Sequence, residues 1–229
     1  MILGVIFMGT LRVPRGIIAL DLGRNLAVVA IERNKKGLIH KQTSFTIFNA
    51  KHYPNAVDEV MSWGPYNAAM FFYNMWEESI VPIMQEMRIH EMYDIGIYYE
   101  EPWLASKSFN ADPRNMWGII GQIGALHALA GEDKMDGVSV VCVGVQKMNS
   151  HGDYPKNMDP NILEAEIRGL SIWKYIDKAK LKDESEIGST KGGHVRDAAK
   201  LAMYIGKSSE EDYYEIVRTQ YQWQRKHKS

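Results

Sequence analysis

One stretch near the start, Gly16–Glu32 (GIIALDLGRNLAVVAIE), limits the folds open to this chain more than any other. Ile17, Ile18, Ala19 and Leu20 form a continuous apolar run, long enough for a strand buried on both faces. The run stops at Asp21, and Leu22 and the turn former Gly23 follow. Ala27–Ile31 is a second β-rich run, so the pair reads as a hairpin turning through Gly23, Arg24 and Asn25. A carboxylate at the end of a buried strand is costly unless something pairs with it, and a divalent cation is one such partner. Asp before Gly also accepts turn hydrogen bonds, and on the hairpin alone that plainer role is the better reading. The rest of the chain decides between them.

Composition removes several classes. A chain of 229 residues, 45% hydrophobic and 24% charged, suits one sizeable globular domain or a domain with a large insertion. Its single cysteine, Cys142, excludes an internal disulfide and fits a reducing compartment. Lying inside the apolar run 138–145, it reads as a packed thiol rather than a nucleophile. The formal net charge of −1 gives no global mark of nucleic-acid binding, so any basic face must be local. The first ten residues are apolar or small, with Arg12 and Arg15 after them, the reverse of a secretory signal, and too few to span a bilayer. Met116–Ala130 is also too short and contains Gly118, Gly121, Gly124 and His127. A soluble, cytoplasmic protein with no membrane partner is expected.

Periodicity orders the remainder. Leu38–Phe48 alternates as a third strand and completes a meander. Tyr53–Met92 is rich in Met and aromatic residues, with helical spacing through 68–84 and punctuation at Pro65 and Pro82. Such a stripe is core or interface rather than a cofactor site. Asp94–Tyr99 is the fourth strand and ends in Glu100–Glu101–Pro102, where regular pairing must stop. Met116–Ala130 reads as a helix lined with small residues, Val138–Val145 as a fifth strand, and Ile162–Lys182 as a helix with a basic end. His194–Ile205 is amphipathic, with Val195, Ala198, Ala199, Ala202 and Ile205 on one face. His194 and Asp197 project from one side of its first turn. A further helix with a basic end closes the chain from Tyr213 onward.

Three places in this order carry acidic or histidine side chains at element ends. Asp21 ends strand one, Glu100 or Glu101 ends strand four, and His194 with Asp197 opens the last core helix. Carboxylates at adjacent strand ends, closed over by a helix terminus, can hold two Mg²⁺ ions, which favour oxygen ligands. Two such ions ~3.5–4 Å apart can activate an attacking water and stabilise the leaving oxygen of a phosphodiester. His194 could ligate an ion or orient that water. Singly, a helix-surface ion pair would account for Asp197 and a helix start for His194. Their coincidence with Asp21 and a strand-end glutamate favours the metal reading.

On these residues the sequence resembles the RuvC-type Holliday-junction resolvases of the RNase H-like nuclease superfamily. IALDLG resembles the family's opening strand with its first catalytic aspartate. YYEEP, with the following Asn110–Ala111–Asp112 loop and Gly/Ala-rich helix, resembles its glutamate strand. HVRDAAKLAMY resembles its closing helix. The likeness covers roughly 16–48, 94–147 and 188–206. It implies an α/β, RNase H-like fold, with a five-stranded mixed sheet of three antiparallel strands then two parallel, flanked by helices. Residues 1–15 would be an N-terminal extension and 16–206 the nuclease domain, with a helical insertion at about 53–92. Residues 207–229 would be a C-terminal helix and basic tail. Asp21, Glu100, His194 and Asp197 would be the catalytic, metal-binding set, with two Mg²⁺ per site and Mn²⁺ able to substitute. Glu101 is the alternative to Glu100: side chains alternate along a strand, so only one of the two can face the side of Asp21.

The same resemblance implies nicks that leave 5′-phosphate and 3′-hydroxyl ends on branched DNA, Holliday junctions first. Opposed nicks call for two sites about a two-fold axis, hence a homodimer. The small-residue helix 116–130 and the Met-rich segment are the surfaces expected to carry its interface. Lys107, Phe109, Arg114, Lys147 and Lys191 are candidate DNA contacts, and Trp103 and Trp117 could stack on an opened base or simply pack. The 53–92 stretch is longer than in a typical bacterial resolvase, and 147–187 matches only through Gln146–Lys147. A divergent member from a phage or mobile element, acting in a bacterial or phage-infected cell, fits these departures. Two rivals predict different features. An actin- or sugar-kinase-type phosphotransferase shares the apolar run, Asp and Gly, but needs a second Gly-rich phosphate loop. A non-catalytic DNA-binding module needs no acidic set.

Overall fold

The computed structural model describes residues 12–50, 63–90, 94–102, 113–132, 138–144 and 193–226. β1 (Gly16–Asp21) can lie at the centre of a sheet because Ile17, Ile18, Ala19 and Leu20 are apolar on both faces, and all four are fully buried. β2 (Asn25–Arg33) and β3 (Ile39–Asn49) continue from it as an antiparallel meander. Asn34 Oδ1 shapes their connection by accepting from the backbone N–H groups of Lys36 and Leu38, and Gly37 takes the left-handed conformation (φ 78°). β4 (Ile95–Glu100) and β5 (Val138–Val143) join β1 on its other side in parallel. The five-stranded sheet has the order β3-β2-β1-β4-β5, matching the three-plus-two arrangement expected from the sequence.

Helices cover both faces. On one lie α1 (Pro65–Met75), a π-helical turn (Trp76–Ile80), α2 (Val81–His90) and α3 (Pro113–Glu132). Their Phe71, Phe72, Met75, Trp76, Met84, Met87 and Leu126 pack on Ile18, Leu20, Val28, Ile97 and Tyr99. The stripe is therefore core at these positions, while Met70 and Tyr73 of α1 are exposed. Pro82, a punctuation point in the sequence, lies inside the helical run and does not end it. The turn before it widens, Val81 N–H bonding back five residues to Trp76 O, which accommodates a residue without an N–H of its own.

On the other face α4 (Gly193–Lys207) crosses β1 and β2 and reaches β3 and β4, while α5 (Glu210–Lys226) lies against β5. Ala198, Ala199, Leu201, Ala202 and Ile205 seal Ile17, Ala19, Val29 and Ile31. The short alanines let α4 approach the sheet closely, which brings its first turn down to the strand ends. α5 is part of this core through Tyr213, Ile216 and Val217, and the Tyr98 and Tyr213 hydroxyls bond at 3.0 Å. The segment just ahead of β1 is tied in as well: Arg33 Nη1 donates to Val13 O, and Val13 is buried.

The small residues of α3, expected at an interface between copies, are partly used within the chain. A Cβ at Gly118 would run into the Trp63 indole, and one at Gly121 into the carbonyl of Pro65. They let α1 and α3 pack closely, whereas Gly124 and Gly131 face open space. Among the described residues no helix is long and apolar enough to cross a membrane.

Candidate functional site

Strand parity puts two carboxylates on one face of the sheet at the C-terminal ends of β1 and β4. In β1, Ile17 and Ala19 point toward α4, so Asp21, two residues on, does too. In β4, Tyr98 points toward α4, and Glu100 follows it on that side. β1 and β4 are adjacent and parallel with Leu20 opposite Tyr99, so Asp21 and Glu100 stand side by side at the ends of their strands. The first turn of α4 closes over them.

His194 Nδ1 lies 2.5 Å from Asp21 Oδ2, with both side chains about a quarter to a third exposed (34% and 22%). Asp197, one turn further along α4, is exposed. Its charge still reaches the strand ends. The Glu100 carboxyl is pushed up to about 7 by burial first, then by Asp197 and by Asp21, while Lys200 opposes the rise. Glu100, Asp21, Asp197 and His194, separated widely in sequence, therefore form one electrostatic neighbourhood. Lys200, three residues beyond Asp197 on α4, belongs to it as well, and nothing in the sequence marks it for that role.

Glu101 faces the other way. Its backbone N–H donates to Val143 O at 2.9 Å; burial raises the Tyr99 hydroxyl and the Cys142 thiol, both on the α3 side, and the exposed Glu101 carboxylate adds to the rise. Burial is the larger cause there, and the thiol is pushed up to about 11. Cys142 is thus a protonated, packed thiol. Tyr99 also shares a 3.0 Å hydrogen bond with His127 on α3.

The remaining sequence candidates contribute less. Lys107, Phe109, Lys147 and Lys191 lie outside the described residues, as do Trp103 and the expected helix at 162–182. Arg114 falls in the first turn of α3, and its side chain is also outside the description. Trp117 is 55% exposed on α3.

Among the described residues, no three His, Cys, Asp or Glu side chains already form a cage for a metal ion. The chemistry of the set nonetheless fits a hard divalent cation. Three carboxylates supply oxygen donors, and the Glu100 carboxyl, raised by burial first and then by the neighbouring Asp197 and Asp21, is a group whose ionised form such a cation would favour.

No protein-family model and no curated protein matches this chain. Solved structures do. The yeast mitochondrial Holliday junction resolvase Ydc2 superposes with a TM-score of 0.53 at 13% identity, over 85% of this chain and 76% of that one. RuvC from Thermus thermophilus gives 0.49 at 12% identity, over 82% and 92%. The fowlpox virus resolvase, solved with Holliday junction DNA, gives 0.39 at 11% identity. The class defined here is an α/β fold with a mixed, helix-covered sheet. The fold in particular is that of Ydc2, and the resemblance to RuvC-type resolvases carried by the sequence is met at the level of fold.

Proposed function

We propose that this protein is a metal-dependent endodeoxyribonuclease that resolves Holliday junctions or other branched DNA by paired nicks. The observation that carries the reading is the meeting of Asp21, Glu100, His194 and Asp197 at the C-terminal ends of β1 and β4 in an RNase H-like sheet, with Asp21 bonded to His194 and Glu100 feeling both aspartates. Asp21, Glu100, His194 and Asp197 would hold the ions, Mg²⁺ with Mn²⁺ as substitute. When bound, two divalent ions lower the pKa of water and offset the charge that builds on a phosphodiester under attack.

The protein's own residues do the rest. With Asp21 ionised, His194 Nδ1 carries the hydrogen of their bond, which fixes the imidazole tautomer and its orientation. That leaves the lone pair of His194 Nε2 to serve in one of two ways, ligating an ion or exchanging a proton with the attacking water. Lys200 tempers the negative field so that a phosphate can approach the carboxylates. Lys107, Phe109, Arg114, Lys147 and Lys191 remain the proposed DNA contacts, and cytoplasmic DNA the proposed setting.

Paired nicking needs two copies about a two-fold axis. Residues 65–76 and 115–131 contain no Asp, Glu, Lys or Arg, and Tyr66, Met70, Tyr73, Trp117 and Ile120 are exposed there. An uncharged surface of this kind suits contact with another copy better than contact with phosphate. The outer side of α1 and α3 is the proposed dimer surface.

Asp21→Asn is the direct test. Four-way junction cleavage in Mg²⁺ should fall to background, while junction binding in a gel-shift assay is kept or tightened by the loss of one negative charge. Retained cleavage removes the proposed site. A panel of four-way, three-way, flap and RNA/DNA-hybrid duplexes ranks the substrate, and a nucleotide titration tests the phosphotransferase alternative.

A further inference from the structure

Gln122 lies on α3, on the side of the sheet away from the acidic cluster, and is completely buried. Its Nε2 donates to Gly23 O at 3.0 Å. Gly23 is two residues beyond Asp21, in the turn that joins β1 to β2. The other end of the amide, Oε1, is buried without a hydrogen-bond partner among the described residues.

A half-satisfied buried amide is unfavourable, because the stranded acceptor has lost its water and gained nothing. Methionine would fill a similar volume without stranding anything. Packing alone therefore does not account for an amide here, whereas the bond to Gly23 does. The same turn is gripped at two further points. The Arg24 guanidinium lies 5.9 Å from the centre of the Trp63 ring, and Arg24 O accepts from Ala50 N–H at 2.9 Å. Trp63 in turn packs where Gly118 of α3 leaves space. Thus α3 braces the backbone immediately after the strand that ends in Asp21.

We infer that Gln122 is a positioning residue that fixes the β1–β2 turn and, through it, the placement of the Asp21 carboxylate for cation binding. The inference rests on the proposed reading of Asp21 as a metal ligand. Local packing is given up for geometry, a trade expected at functional sites.

The experiment uses the full chain and its Gln122→Met and Asp21→Asn variants. Mn²⁺ and Mg²⁺ binding is followed by calorimetry, stability by urea denaturation, and turn mobility by hydrogen exchange at Gly23–Asn25. Gln122→Met should keep or raise the unfolding midpoint, exchange faster in the turn, and bind the ions roughly tenfold more weakly. Wild-type ion affinity in Gln122→Met overturns the inference while leaving the metal reading intact. A lower unfolding midpoint with unchanged affinity in the folded protein likewise marks Gln122 as structural only. A wild-type chain that takes up neither ion, matching Asp21→Asn, overturns the metal reading itself.

Discussion

Asp21 Oδ2 and His194 Nδ1 meet at 2.5 Å across 173 residues of sequence. One comes from the end of the central strand and the other from the first turn of α4, so the contact exists only once α4 has docked on the sheet. The site is complete only in the docked fold. If His194 exchanges a proton during phosphodiester hydrolysis, His194→Ala should lower the cleavage rate by about 10²–10⁴-fold while junction affinity stays within a few-fold. Single-turnover cleavage and gel-shift titration read the two quantities separately. An unaltered rate would confine His194 to a structural role.

Glu100 ties stability to pH. Its folded-state pKa of about 7 lies above the ordinary value of 4.5, with burial as the first cause and Asp197 and Asp21 next. Between those values the folded protein binds more protons than the unfolded chain, so stability falls as pH rises. The contribution is fully present below pH 4.5 and lost as pH passes through about 7. A shift of this size corresponds to a loss on the order of 3 kcal/mol. Glu100→Gln should flatten that segment of the profile. Mg²⁺ should restore stability at pH 8 and do little at pH 5, measured by urea midpoints in a pH series.

The two glycines of α3 that face different surroundings should respond oppositely to alanine. At Gly121 a methyl group meets the backbone carbonyl of Pro65, which cannot rotate away, so α1 must shift. Gly121→Ala should destabilise by about 1–3 kcal/mol. At Gly124 nothing lies within 4 Å, so the same change relieves the entropy cost of a helical glycine and should stabilise by about 0.5–1 kcal/mol. Denaturation midpoints of the two variants decide it.

Much of this arrangement was legible in the sequence, for identifiable reasons. Ile17–Leu20 and Ile95–Tyr99 are apolar on both faces, which a central parallel pair requires, and the acidic residues that end them announce where the sheet meets solvent. The two-residue period limits Asp21 to one of Glu100 and Glu101, but which one depends on the pairing register of β1 with β4, a contact of distant segments. Helical periodicity likewise marks a small-residue face on 116–130 without naming what packs there. Trp63 and Pro65, reached across fifty residues of chain, occupy it. Nothing in the sequence marks Gln122, because its bond is to a backbone carbonyl in a remote turn. Tyr213, Ile216 and Val217 looked like the start of a tail because their partners lie on the sheet.

The proposed two-fold pairing gives the last prediction. A specific interface buries roughly 1,200–2,000 Å² in total, and its centre is depleted of charge. Tyr73 on α1 and Ile120 on α3 are 46% and 42% exposed, so a charge placed at either position is tolerated by the isolated chain. Across a two-fold axis the same substitution places like charges in a desolvated contact on both copies, which association cannot absorb. Tyr73→Glu combined with Ile120→Glu should turn a dimer into a monomer in sedimentation velocity, with the urea midpoint held within about 1 kcal/mol in stability. On the proposed function, junctions should then be nicked on one strand at a time, so nicked intermediates should accumulate where the wild-type protein is expected to yield two duplexes. A dimer that survives both substitutions would place the two-fold contact on another face.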